Sequence, residues 1–372
     1  MTRSAFQRAT SVDVYTHPDK LPPDVQRLFA DAESSSVELG VAWFRNFVDT
    51  VKLPRSSPKF YVLNLNGVPV AALPVFAKST LVPGHSRVDS LTHYYTALYA
   101  PVLAPGVAGP ELAPLFERII SDHSPMGEMR FAPMDPLSDG YAAMLQALRL
   151  AGMLPFRFFS FGNWYLKVPG SWTNYLAHRH GQLRNTIKRM EKKLAQESGT
   201  IEVITGVEGL QRGLAAYQQV YSASWKNEEP FPEFVPGLIA TAAAQGWLRL
   251  GVVWLGGRPI AAQLWMVSNG KAEIYKLAYD EAFKAYSPGS VLTAHLMQHV
   301  FEKDHVQEVD YLIGDDPYKK SWMSDRRERW GIVAYNPRTL TGLWGACREA
   351  SGRAVKPWVS AWRARFAKSP KP

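Results

Sequence analysis

Apolar residues along this chain recur at two periods, and the switches between them mark out the elements. Over 60–65 the side chains alternate with β-branched and aromatic types, Asn66-Gly67 supplies a two-residue hairpin signal, and 68–76 returns. The pattern recurs at 248–255, Gly256-Gly257 and 258–268. A further Asn269-Gly270 turn leads into 271–278 and predicts a three-strand meander. Helical spacing precedes the hairpins over 38–51, 210–225 and 234–245, and follows them over 111–121 and 291–303, the latter leading to a short strand at 307–312. This is the order of an α/β (α+β) fold with a mixed sheet flanked by helices.

The halves match in sequence as well as in pattern. Gly67-Val68-Pro69-Val70-Ala71-Ala72 reappears as Gly257-Arg258-Pro259-Ile260-Ala261-Ala262, an internal repeat with a period near 190 residues. A single repeat of that length is a duplicated domain, not a solenoid. The expected division is 1–168 and 201–337, with a linker at 169–200 opened by Val168-Pro169-Gly170 and a tail at 338–372. In the linker a helix over 182–197 sets Leu183, Ile187, Met190 and Leu194 on one face. Arg184, Lys188 and Lys192 form a stripe on it, with Arg189 and Lys193 beside them. It reads either as a bridging helix with a solvated basic face or as a docking surface for an acidic carrier, such as coenzyme phosphates or acyl carrier protein.

Composition narrows the class. Of 372 residues 46% are hydrophobic and 20% charged, enough for a sizeable core. The single cysteine, Cys347, excludes an intrachain disulfide framework and a cysteine zinc cluster, and fits a reducing compartment. No signal peptide and no apolar run of membrane-spanning length is legible, so a soluble, cytoplasmic protein is expected. The net charge of +9 is concentrated from Arg338 onward, where eight Lys and Arg face one acid, Glu349. The near-neutral remainder argues against nucleic acid as a partner. In that tail Trp358, Trp362 and Phe366 recur every fourth residue, with Arg363, Arg365 and Lys368 between. The tail is either a peripheral contact with anionic lipid on the inner face of the membrane or a helix closing over the second half. His178 and His180 flank the basic helix, and His295 and His299 stand at i, i+4 spacing. With no acidic third ligand near them, no metal is expected.

Candidate chemistry gathers in 278–322. Lys284-Ala285-Tyr286-Ser287-Pro288-Gly289-Ser290 opens the helix at 291. Ser287 is placed to cap free N–H groups, Pro288 suits the first helical position, and Gly289 lets a pyrophosphate approach the positive end of the dipole. Asp310-Tyr311-Leu312-Ile313-Gly314-Asp315-Asp316-Pro317-Tyr318-Lys319 ends a strand and turns, so that Tyr318 and Lys319 emerge beyond its carboxyl end, where open α/β sheets place ligands.

Tyr286-Ser287-Pro288-Gly289, a helix, and then Asp310-x-x-x-Gly314-Asp315-x-x-Tyr318-Lys319-x-x-Trp322 resembles the GNAT domain of CelD-like and BioF-associated acyltransferases, relatives of the Fem-type tandem-GNAT enzymes. The basic helix at 182–197 and Ser222-x-x-Trp225 are similar to that family too. The resemblance covers about 172–335, with the first half similar to a degenerate first repeat. It implies a tandem duplicated GNAT-like fold and an acyl-CoA co-substrate, bound through an Arg/Gln-x-x-Gly-x-Gly/Ala pattern that here becomes Lys284-x-x-Ser287-x-Gly289, with Ser290 following. Ser287 stands where the family has its first glycine.

The expected reaction is direct N-acyl transfer from a thioester, acyl-CoA or acyl carrier protein, to a small-molecule amine, since no Ser-His-Asp or Cys-His arrangement is legible. Asp315 would accept the amine proton, with Asp316 able to exchange roles with it. Tyr318 would protonate the leaving sulfur and Lys319 would orient a carboxylate or phosphate. The resemblance implies an amino sugar or amino acid of cell-envelope or exopolysaccharide metabolism as acceptor. His93-Tyr94-Tyr95 is either part of an acceptor wall or a buried aromatic cluster. The alternatives are an aminoacyl-tRNA-dependent Fem-type transferase and a non-catalytic scaffold for envelope-polymer assembly.

Overall fold

The computed structural model describes residues 9–79 and 86–366. The three hairpin turns form as their residues require. Asn66 and Gly67 take φ of 52° and 78°, Gly256 and Gly257 57° and 75°, and Asn269 and Gly270 48° and 73°. Such left-handed pairs match the twist of the strands they join.

The internal repeat holds down to one inserted residue. β2 (Ser56–Leu65) and β3 (Val68–Lys78) pair Asn64 with Pro69 and Leu63 with Ala71, which leaves Val70 over. β9 (Leu248–Leu255) and β10 (Arg258–Ser268) pair Trp254 with Pro259 and Val253 with Ala261, which leaves Ile260 over. Val70 and Ile260 occupy the same place in the repeated hexapeptide. Proline cannot donate to the ladder, and a bulge beside it accommodates the lost bond.

The chain forms two compact units, and neither is one continuous stretch. Residues up to Phe29, Leu53–Ser160 and those from Arg329 onward make the first; Ala30–Lys52 and Phe161–Glu328 make the second. The division expected at 168, 200 and 337 cuts across them. The helix expected at 38–51 is α2 (Val41–Thr50) and belongs to the second unit. There Trp43 and Phe47 meet Phe234 of α8 (Phe234–Ala244) edge-on at 5.7 and 5.9 Å. Helical period reveals an apolar face but not its partner.

In the first unit the strand order is β1 (Thr10–Tyr15), β2, β3, β4 (Ser86–Ser90), β6 (Met126–Met134) and the 329–335 part of β13 (Asp325–Tyr335). β5 (Val102–Leu103) pairs with β3. β4 and β6 run parallel. α3 (Gly109–Asp122) and α4 (Asp139–Leu150) press Leu112, Phe116, Tyr141 and Met144 onto Tyr61, Leu73 and Phe131. α11 (Leu340–Phe366) starts hard against the chain. A Cβ on Gly342 would stand 2.1 Å from the Asn336 carbonyl oxygen and 2.8 Å from that of Gly127. Backbone cannot yield as a side chain does, so Gly342→Ala is expected to cost about 1–3 kcal/mol, read as a lowered urea midpoint. The side chains of Trp358, Trp362, Arg363, Arg365 and Phe366, and all of Lys368, lie outside the described residues.

The second unit orders its strands as the 161–167 part of β7 (Leu154–Lys167), β12 (Glu308–Asp310), β11 (Lys271–Tyr279), β10, β9 and β8 (Thr200–Ile204). α9 (Pro288–Glu302) crosses from β11 to β12. Its Val291, Leu292, Leu296 and Met297 share a core with Val253, Trp265 and Ile274, and with Ile187, Met190 and Leu194 of α6 (Gly181–Gln196). The helix expected to bridge the halves is therefore an integral part of this unit, and its polar face keeps Arg184, Lys188, Arg189 and Lys192 exposed. Among the described residues no helix is long and apolar enough to cross a membrane.

Candidate active site

β11 and β12 are the parallel pair of the second unit, and they pair over three residues only, Lys271 with Glu308 through Glu273 with Asp310. β12 then ends while β11 runs on to Tyr279. An extra residue in β11, Tyr275, lies between Ile274, opposite Trp265, and Lys276, opposite Leu264, and a bulge of this kind bends the strand. The carboxyl ends of such strands are where open α/β folds hold ligands.

α9 follows β11 along the chain. Ser287 is left-handed at φ 45° and ψ 47°, and its hydroxyl makes no cap. Its carbonyl instead takes the N–H groups of Ser290 at 3.0 Å and Val291 at 3.2 Å. The cap expected of the Ser287 side chain is thus replaced by a backbone turn, and Ser290 N–H is already engaged. Lys284 is exposed on the preceding 3-10 turn, Glu281–Tyr286. What fixes the helix start is a residue the sequence reading passed over, Gln263 of β10. Its amide donates to the Gly289 carbonyl and the Thr293 hydroxyl, both at 2.9 Å, and its oxygen accepts from Trp265 Nε1 at 2.9 Å. A glutamine inside an otherwise apolar strand was the available signal. Gln263→Leu leaves the buried Trp265 Nε1 without its acceptor, while the Thr293 hydroxyl keeps its 2.9 Å bond to the Gly289 carbonyl, and is expected to cost about 1–3 kcal/mol, measured by chemical denaturation.

The loop after β12 is held from below. Asp310, 1% exposed, accepts from Asn163 Nδ2 at 2.5 Å and from the Leu312 N–H at 2.7 Å, and pairs with Arg327. Arg327 also donates to Glu308 and to the Asn163 side-chain oxygen Oδ1, each at 2.7 Å. Burial alone would raise the Asp310 carboxyl; Arg327, Lys271 and these hydrogen bonds outweigh it and hold the group below the usual carboxylate range. Gly314 takes φ 103°, a conformation other residues rarely adopt, and brings the chain back over Lys319.

Lys319 does not reach outward. It is 4% exposed, and its amine donates to the carbonyls of Ile313, Tyr311 at 3.4 Å and Gly314 at 3.5 Å, with Asp316 at 3.4 Å. It ties the loop, so the expected role of orienting a substrate anion is corrected to that of a loop anchor. Asp315 faces Arg326, which holds it through Nη2 at 2.7 Å and Nε at 3.1 Å, and it accepts from Trp164 Nε1 at 2.6 Å. The Arg326 hydrogen bonds push its carboxyl below the ordinary range, which makes it a poor proton acceptor near neutral pH. Asp315→Asn is accordingly expected to leave the pH profile of activity where it is. Tyr318 is half exposed with its ring edge-on to Tyr311 at 5.7 Å. Burial, with Asp316 adding to it, raises its hydroxyl to about 12. Tyr311 packs in the same core as Val291 and Leu292 of α9.

The open space lies to one side. α7 (Leu210–Ser222), the loop that follows it and α8 enclose a cleft of about 520 Å³, lined by Tyr217, Tyr221, Lys226, Glu228 and Glu229 among others. Trp225 stands at 4.6 Å from Tyr279, the last residue of β11. Lys276 of β11 pairs with Glu229 at 2.7 Å. Burial, and then Lys276 and Lys319, lower the Lys226 amine to about 8. Neither Lys226 nor Lys276 had a motif to mark it, because their proximity arises from folding.

His299 lies 3.8 Å from Asp304, His178 Nδ1 meets the Asn174 carbonyl, and His180 accepts from the Gln182 N–H at the start of α6. Among the described residues no group of three or more His, Cys, Asp or Glu is placed to hold a metal. Tyr94 and Tyr95 lie tilted at 4.1 Å beside His93 in the first unit, with Tyr95 buried.

Residues 181–320, which contain the end of the β11–β12 pairing, the helix start and the loop, match the model of the acetyltransferase (GNAT) domain. This domain match supports an acyltransferase. Over that segment the chain carries a GNAT domain, and the whole has a tandem GNAT-like, Fem-like fold. It is similar to the crystal structure of FemX, at TM-score 0.57 and 12% identity over 79% of this chain and 92% of that one. It is also similar to a conserved protein of unknown function from Bacteroides thetaiotaomicron VPI-5482, at TM-score 0.51 and 11% identity over 79% and 89% of the two chains. A tandem GNAT protein from the clavulanic acid biosynthesis pathway aligns at TM-score 0.47 and 12% identity over 88% and 99%. No curated protein sequence matches the chain.

Proposed function

We propose that the protein moves an acyl group from a thioester, carried by coenzyme A or by acyl carrier protein, to the amine of an amino sugar or amino acid. The observation that carries this reading is the end of the β11–β12 pairing at Asp310 and the start of α9, both inside the segment that matches the acetyltransferase domain. Gly289 offers the approach to the helix start, while Ser290, bound to the Ser287 carbonyl, contributes less than its place in the pattern promised. Tyr217, Tyr221, Glu228 and Glu229 line the neighbouring cleft. Aromatic faces and carboxylates suit a hydroxylated acceptor that carries an ammonium group. Tyr318 stays protonated at every physiological pH and donates a hydrogen bond to the sulfur as it leaves.

Thermal unfolding with coenzyme A and acetyl-CoA tests the donor. A ligand at one hundred times its dissociation constant stabilises by about 2.7 kcal/mol, so a clear rise in Tm is expected from either compound. Thiol release from acetyl-CoA is then followed with amino sugars and amino acids. Neither a shift nor release with any acceptor would end the coenzyme A reading. The exposed Arg184, Lys188, Arg189 and Lys192 of α6 favour a second donor form, an acyl group on a phosphate-bearing carrier, either acyl carrier protein or the aminoacyl-tRNA of Fem-type transferases. Loss of transfer from such a carrier in an R184E/K188E variant, with free acetyl-CoA still used, would identify it.

A further inference from the structure

The second unit gathers three lysine amines in one place and supplies counter-charges for two. Lys276 has Glu229 at 2.7 Å; Lys319 has the carbonyls of Ile313, Tyr311 and Gly314 together with Asp316. Lys226 has neither. Among the described residues no carboxylate stands within ion-pair distance of its amine; its backbone N–H is engaged by Ser224 Oγ at 3.3 Å, and the amine itself meets only the Trp225 ring, 6.0 Å from its centroid. It nevertheless lines the cleft of about 520 Å³ that the proposed acceptor would enter.

We propose that Lys226 is a self-acylation site, an amine of the enzyme's own that takes an acyl group from a thioester. The charged and titratable groups around it are Lys276 of β11, Asp316 and Lys319 of the loop after β12, Glu228 and Glu229 of its own loop, and Tyr217 and Tyr221 of α7. Burial and the two ammonium groups disfavour its protonated form, and Asp316 opposes them only in part, which leaves the amine at about 8. Close to half of it is then neutral near pH 8. In the reaction the neutral nitrogen attacks the thioester carbonyl, the C–N bond forms and the C–S bond breaks. The thiolate leaves and takes up the proton that the nitrogen sheds, giving an amide and a free thiol with no further reactant. Acylation removes the cation and puts the acyl chain into the cleft.

The size of the effect follows from the neutral fraction. At pH 8 an ordinary lysine near 10.4 is roughly 0.4% neutral, a disadvantage of about 100-fold. The lower intrinsic nucleophilicity of a weaker base returns about tenfold of this, by the trend established for thiols. Lys226 should therefore acylate about ten times faster than an exposed lysine. The site stands apart from the transfer reading, because it needs no acceptor; failure of transfer to every added amine would leave the labelling result unchanged.

The test incubates the full chain with acetyl-CoA between pH 6.5 and pH 10 and follows acetylation of each lysine by peptide mass spectrometry, with exposed Lys188 and Lys284 as internal references. At pH 8 the Lys226 peptide should gain its acetyl group about tenfold faster than either, and its rate should level off above about 8 while theirs continue to climb. In Lys226→Arg the mark on that peptide should vanish while Lys188 and Lys284 acetylate as before. Labelling of Lys226 no faster than that of Lys284, or still climbing at pH 10, would overturn the assignment.

Discussion

Asp310→Ala should lower the stability of the Phe161–Glu328 unit by about 3–5 kcal/mol, because it removes one member of a buried ion pair and leaves the Arg327 guanidinium without its nearest counter-charge. The loss extends beyond the pair. The same carboxylate binds Asn163 and the Leu312 N–H, and Leu312 sits in the left-handed region at φ 52°, a conformation that needs such support. The loop bearing Tyr318 should loosen with it. Urea unfolding gives the energy, and trypsin cleavage after Lys319 or Lys320 reports the loop. The sign of the pH dependence is fixed as well. A carboxyl whose folded value is depressed contributes stability that is fully present above its unfolded value near 3.9 and is lost as pH falls through the folded value. The wild-type unit should thus shed this contribution only in acid below the ordinary carboxylate range, and the alanine variant should lack that acid-sensitive component. Equal urea midpoints for the two proteins would show that the Asp310–Arg327 pair contributes nothing.

Tyr318→Phe should lower kcat about 100-fold while acetyl-CoA affinity and stability stay near wild type. A hydrogen-bond donor that acts only as charge develops in the transition state is worth roughly that much. The half-exposed ring keeps its edge-on packing with Tyr311 in the variant, so a folding defect is not expected. With the hydroxyl raised to about 12, Tyr318 contributes no titration between pH 6 and pH 10. The ratio of variant to wild-type kcat should therefore be flat across that range. A variant within a few-fold of wild type would remove Tyr318 from the chemistry and leave it as packing for Tyr311.

The hairpins were legible because each turn is local, and two left-handed residues in succession call for Gly or Asn whatever surrounds them. The repeat was legible from six residues, and even its extra position could be traced to the proline before it. The site was legible only as a location. Asp310 through Trp322 read as one candidate stretch, yet the roles given to Asp315 and Lys319 come from their order along the chain. Arg326 and the carbonyls of 311–314 decide those roles, and they reach Asp315 and Lys319 only after folding. Gln263 and Lys226 illustrate the same limit from the other side. One is a lone polar residue in an apolar strand, the other a lysine in an unremarkable loop, and in each the neighbours supply the chemistry.

Interleaved connectivity restricts how this molecule can be taken apart. A fragment beginning at residue 169 lacks α2, so Phe234 loses both Trp43 and Phe47 and presents a bare aromatic surface to water. Exchange of either unit for that of a homologue needs four junctions, near residues 29, 52, 160 and 328, where a simple tandem array would need one. Recombination at the midpoint breaks both units at once, so the duplicated architecture is inherited, and has to be engineered, as a single piece.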